Sequence, residues 1–172
     1  MFRFFKGKPQ PPPPVAPRID LSRFSCEGLE LGKPLPEGFF LMPFLQKDGV
    51  YRNEASGLEI GTEGGVLDYL CITLANFRGE LLADGKSTGL AEGSSEEAVT
   101  AIFGEAYHRD VDADGELILF HEYLEGTVEL QFEFPPPGQS LGVITLCRDG
   151  VLSNPEQRKS YGVTRPWPPS AS

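Results

Sequence analysis

Apolar and polar positions alternate with period two along residues 127–134. Val128, Leu130, Phe132 and Phe134 face one way, and Thr127, Glu129, Gln131 and Glu133 face the other. That pattern predicts a β-strand with one apolar and one wet face. Glu125-Gly126 before it is a tight-turn signal. Pro135-Pro136-Pro137-Gly138 ends it, because proline cannot donate to a ladder. Residues 117–123 and 141–147 read as flanking strands. Upstream the period changes. Val99, Ile102 and Phe103 fall at i, i+3 and i+4 and share one helical face. Ser94 reads as the N-cap, with Glu97 three residues on completing a capping box. Glu96 and Glu97 suit the positive end of the helix dipole, and Gly104 stops the helix. The stretch 93–146 therefore predicts a capped helix over 94–103 and then an antiparallel meander, with the helix lying on the apolar face of the sheet.

The first half carries a weaker version of the same pattern. Phe39-Phe40-Leu41-Met42-Pro43-Phe44-Leu45 is dense and apolar and reads as buried. Asp48-Gly49 and Gly64-Gly65 mark turns between strands at 50–52, 58–60 and 67–74. Both halves run strand, turn, strand and close on Ile-Thr-Leu, at Ile72-Thr73-Leu74 and Ile144-Thr145-Leu146. This predicts a diverged tandem repeat with the second copy better preserved. Two such units side by side give one wide antiparallel sheet, or two sheets meeting at a groove. The fold class expected is α+β: two diverged repeats, each mainly a β-meander, the second carrying the short helix. Residues 1–23 read as a Pro-rich flexible tail, 24–76 as the first half, 77–147 as the second repeat opening on a hairpin near Leu81-Leu82, and 148–172 as an irregular tail packing on the domain. The lone Trp167 lies among prolines. It reads as a clamp against the domain or as an anchor for a partner.

Composition narrows the function. The chain has 172 residues and a net charge of −10, unevenly spread. Between Glu92 and Glu133 there are many acids and one base, Arg109, whereas the termini are basic. An acidic surface repels nucleic acid and anionic membranes and steers basic partners; equally, it can serve solubility alone. No run is long and apolar enough to span a membrane, and the N-terminus has no signal-peptide core, so a cytoplasmic location is expected. Three cysteines far apart in sequence read as reduced core thiols.

The pattern Gly93-Ser94-x-Glu96-Glu97-x-Val99-x-x-x-Phe103-Gly104-Glu105, followed by three strands, resembles the repeat of the β-lactamase inhibitory proteins and of the SmpA/OmlA outer-membrane assembly lipoproteins. The resemblance implies a short helix against an antiparallel sheet, carried twice in the inhibitors. The second half and the Tyr161–Pro169 stretch also resemble uncharacterised bacterial proteins found beside polymorphic toxins and taken as immunity proteins.

Candidate chemistry is sparse. Asp110-Val111-Asp112-Ala113-Asp114-Gly115-Glu116 matches the opening of an EF-hand loop, but His121 stands where the bidentate Glu is needed, and an acidic hairpin explains it as well. His108 and His121 flank that turn and are the only histidines. There is no nucleophile elbow, P-loop or dinucleotide fingerprint. No catalytic residue, metal ligand or cofactor is therefore assigned. The reading expected is a non-enzymatic, protein-binding module: an immunity or inhibitor protein that blocks the basic surface of a bacterial toxin domain. Its contact residues would be Asp110, Asp112, Asp114, Glu116, Glu122, Glu129, Gln131 and Glu133, with Tyr161 and Trp167 as anchors. The alternatives are an assembly scaffold built on the same repeat, and a metal-binding protein using the 110–116 turn.

Overall fold

The period-two stretches do form strands, and they assemble into one wide sheet. A computed structural model describes residues 16–26, 28–36 and 45–169; the Phe39–Leu45 run lies almost wholly outside them. The second half holds β10 (His108–Val111), β11 (Leu117–Tyr123), β12 (Val128–Phe134) and β13 (Val143–Arg148). The first holds β4 (Leu45–Lys47), β5 (Val50–Asn53), β6 (Leu58–Glu63) and β7 (Val66–Thr73). All eight are antiparallel neighbours in the order β10-β11-β12-β13-β7-β6-β5-β4, so the last strands of the two meanders meet at the centre. The fold is α+β, as the sequence pattern predicts.

Register decides which side chains share a face. Leu119, Phe132, Ile144, Ile72 and Leu58 form one row across five strands, and Leu130, Leu146, Leu70 and Ile60 form the next. All are buried in a common core. Burying each such side chain contributes about 1.5–3 kcal/mol. Helix α1 (Glu96–Phe103) lies on this face, with Val99 fully buried and the Phe103 ring 5.1 Å from Phe132. The cap is Ser95 rather than the expected Ser94. Ser95 accepts the Ala98 N–H at 3.3 Å, and the Ser94 hydroxyl instead accepts from the Ala91 N–H. The shift has a tertiary cause: the Leu141 N–H donates to the Ser94 carbonyl and the Gly93 N–H to the Leu141 carbonyl. The same pair of bonds turns Leu141 toward the helix, which is why β13 begins at Val143 rather than at 141.

A second sheet completes the core. It contains β1 (Arg18–Asp20), β2 (Ser25–Cys26), β3 (Leu29–Glu30), β8 (Glu80–Ala83) and β9 (Lys86–Ser87), in the order β3-β2-β1-β8-β9, with β1 parallel to β8. The expected tail over 1–23 therefore ends too late. Ile19 and Leu21 are fully buried, and the Asp20 carboxylate accepts from the backbone N–H groups of Ser22, Arg23 and Gly85, tying the segment to the β8–β9 turn. Residues 1–15 lie outside the described part of the chain.

The opposite face of the large sheet departs most from expectation. Residues after β13 fold back over it as a strap. A 3-10 turn at Val151–Ser153 leads into α2 (Pro155–Ser160), capped by the Asn154 side chain. Residues 149–169 thus pack on the large sheet and carry a helical turn of their own. Leu152 of the strap and Phe120 of β11 are both buried and lie outside the main core. Gly150 sits directly on Glu129; a Cβ there would overlap that side chain. Gly150→Ala is expected to lower stability by about 1–3 kcal/mol through overpacking, read as a shift in the urea midpoint; an unchanged midpoint would show that the strap yields there at no cost.

Candidate functional site

Three places hold functional groups: the acidic turn, the polar face beneath the strap, and a cleft at the sheet edge. The acidic turn joins β10 to β11. Asp112 Oδ1 accepts from the N–H groups of Asp114 and Glu116, both at 2.9 Å, and the Asp112 N–H donates to the Glu116 carbonyl. Gln139 braces the turn from the next loop by donating to the Gly115 carbonyl at 3.2 Å. The result is a stiff tip on an edge strand that, among the described residues, has no neighbour on its outer side. Asp112 and Asp114 are exposed, Asp110 and Glu116 half-buried, and Val111 stands 45% exposed among them. Asp112 spends one carboxylate oxygen on the turn itself. Among the described residues no group of three or more His, Cys, Asp or Glu is placed to share one ion.

The supposed wet face of β12 is not wet. Glu129 is 0% exposed and Gln131 8%, so neither can meet a partner as a rim residue. Glu129 accepts from the backbone N–H groups of Val151 (3.0 Å) and Leu152 (2.9 Å) and from the Gln131 amide. These donors replace water, so a polar side chain can be buried there. Glu133 is half-buried and accepts from the Thr145 hydroxyl at 3.4 Å; burial, then Glu116, pushes its carboxyl upward. Glu122 lies directly across the ladder from Glu129. No protein donor among the described residues reaches either Glu122 oxygen. Burial first, and then the adjoining Glu129 carboxyl, push Glu122 up to about 10. Its carboxyl is thereby biased toward the protonated, neutral form beside Glu129.

Tyr161 and Trp167 are spent on holding the strap down. The Tyr161 ring meets Phe120 edge-on at 5.3 Å and His108 at 6.4 Å. Trp167 packs on Gly126, edge-on to Tyr107 at 5.9 Å, with the Arg158 guanidinium 4.6 Å from its ring centre. Tyr107 Oη donates to the Pro166 carbonyl at 2.9 Å. Trp167 therefore packs against the domain, half-buried. The two histidines do not face each other: His108 pairs with Phe120 in the ladder, and His121 is buried beneath α1 between Phe103 and Phe132. Burial lowers His121 to about 4, so it is a neutral core residue.

Sequence reasoning missed the cleft. It has a volume of about 280 Å³ and lies between α1, β10 and the 162–165 loop, with Thr100, His108, Arg109, Thr164 and Arg165 in its wall. Arg109 makes a two-point ion pair with Glu96 at 2.8 and 3.2 Å. Arg165 donates to the Ala106 carbonyl at 3.2 Å and lies 5.7 Å from the Tyr107 ring centre. These residues come from three separate stretches, and no spacing rule joins them.

No protein-family model matches the chain, and no curated protein does. Among solved structures it is similar to a DUF4309 family protein (YjgB) from Bacillus subtilis, with 14% identity and a TM-score of 0.38, over 71% of this chain and 83% of that one. At that level no residue role passes from one to the other. Among the described residues no helix is long and apolar enough to cross a membrane.

Proposed function

We propose that the protein is a non-enzymatic binding module that engages a basic protein through the β10–β11 turn, and that the partner is a bacterial toxin domain whose basic surface it blocks within the cytoplasm. One observation carries this reading. The acids Asp110, Asp112, Asp114 and Glu116 are held on a braced tip around an exposed Val111, at what is an edge of the sheet among the described residues. A prearranged acidic loop steers a basic partner and loses little entropy on docking. An apolar residue at its centre supplies the part of an interface that slows dissociation. The contact set is therefore smaller than the sequence pattern implies: Glu129 and Gln131 are buried on β12, Glu129 beneath the strap, and Tyr161 and Trp167 belong to the strap's packing.

The test is recovery of partners from native cells with the wild type and with an Asp110→Asn, Asp114→Asn, Glu116→Gln variant; Asp112 is kept because it holds the turn. The wild type is expected to retain one basic protein in equimolar amount. With that protein purified, the variant should associate about tenfold more slowly at low salt, with a weaker salt dependence. Equal association rates and equal salt slopes for the two would refute the reading.

A further inference from the structure

The cleft at the sheet edge is less acidic than the molecule as a whole, with two arginines beside two glutamates in its wall. The chain carries −10 overall, yet two guanidinium groups line this opening. Arg109 uses Nε and Nη2 on Glu96, which leaves Nη1 over. Arg165 has a single bond to a main-chain carbonyl and, among the described residues, no ion pair. His108 Nε2 is screened from solvent and has no hydrogen-bond partner among the described residues. Two acids share the wall: Glu96 is held by Arg109, and Glu105 is exposed, which leaves Arg165 as the cation without an ion pair among the described residues.

We propose that this cleft binds a small oxyanion, an organic carboxylate or a phosphate monoester, with Arg165 and the spare Nη1 of Arg109 facing the anion and with Thr100 and Thr164 offering hydrogen bonds. A guanidinium presents its donors in a planar fork that matches carboxylate and phosphate oxygens. The volume sits near the lower end of ligand pockets, which run from about 300 to 1,000 Å³. That suits a ligand of about a dozen heavy atoms rather than a polymer. The assignment does not rest on the acidic turn or on a protein partner, because the two sites use different residues.

Amide NMR of the full chain, titrated with citrate and separately with inorganic phosphate, tests this. Saturating shifts are expected at residues 107–109 and 162–165 with a dissociation constant below about 10 mM. Arg165→Gln should weaken binding about tenfold and Thr164→Val severalfold, with Trp167 fluorescence unchanged as the check that the strap is in place. Lys86→Gln, on the far small sheet, should bind as the wild type does. Saturation by citrate alone identifies the ligand as a carboxylate, and by phosphate alone as a phosphate ester. Failure of both to saturate, or equal weakening by Arg165→Gln and Lys86→Gln, overturns the site.

Discussion

Glu129→Ala is expected to cost about 3–5 kcal/mol of stability and to loosen the C-terminal strap before the sheet unfolds. Glu129 has no solvent contact and is the common acceptor for the Val151 and Leu152 N–H groups and the Gln131 amide. Alanine leaves those buried donors without an acceptor, at about 1–3 kcal/mol each. Relief of Glu122 from its carboxyl neighbour returns part of that cost. The net loss is a large fraction of the 5–15 kcal/mol typical of a domain. Trp167 is the sole tryptophan, and its ring lies in the strap's own contact with Gly126 and Tyr107. Its emission should therefore shift to the red at lower urea than the loss of far-ultraviolet circular dichroism. If the variant melts with the wild type and shows the same emission throughout, Glu129 does not anchor the strap.

The contrast between the two faces of β12 shows what the sequence pattern could reveal. Alternation sorts residues by polarity, and on that basis β11 and β12 were legible nearly to the residue. It does not report whether water or protein backbone satisfies the polar set. Glu129 and Glu133 look alike in sequence, yet only the first is sealed beneath Val151 and Leu152. A cue for the strap was present in Asn154-Pro155-Glu156, which has a cap, a proline at the first helical position and an acid in the first turn. The N-terminal boundary was misplaced for a related reason. Proline density marks extended chain, and Arg18–Asp20 is extended, but pairing with β8 makes it a strand. The cleft was not legible at all. Arg109 and Arg165 are 56 positions apart in the chain (165 − 109), and only the fold-back of the strap brings them to one wall.

The Glu122–Glu129 pair also sets how stability depends on pH. The folded chain holds Glu122 at about 10 against an ordinary 4.5, chiefly through burial and then through Glu129. Between those values the folded state binds the extra proton, so this contribution is complete below about pH 4.5 and is lost as pH rises toward 10. His121 has the opposite sign. Burial holds it at about 4 against 6.5, so the unfolded state binds the extra proton between them and stability rises with pH over that range. From about pH 4.5 to 6.5 the two slopes offset each other. Above 6.5 the fall from Glu122 stands alone among the two, and Cys147, pushed up by burial, adds to it above about 9. Between pH 6.5 and 9 the wild type is expected to lose about 2 kcal/mol, after allowing for the partial exposure of Glu122. Glu122→Gln keeps a neutral donor facing Glu129 and has no proton to lose. Urea unfolding at pH 6.5, 7.5 and 9 should show the variant nearly flat and the two curves diverging with pH. Parallel curves would mean that Glu122 is ionised in the fold at neutral pH, and that Arg158, the one charge that opposes the shift, controls the pair.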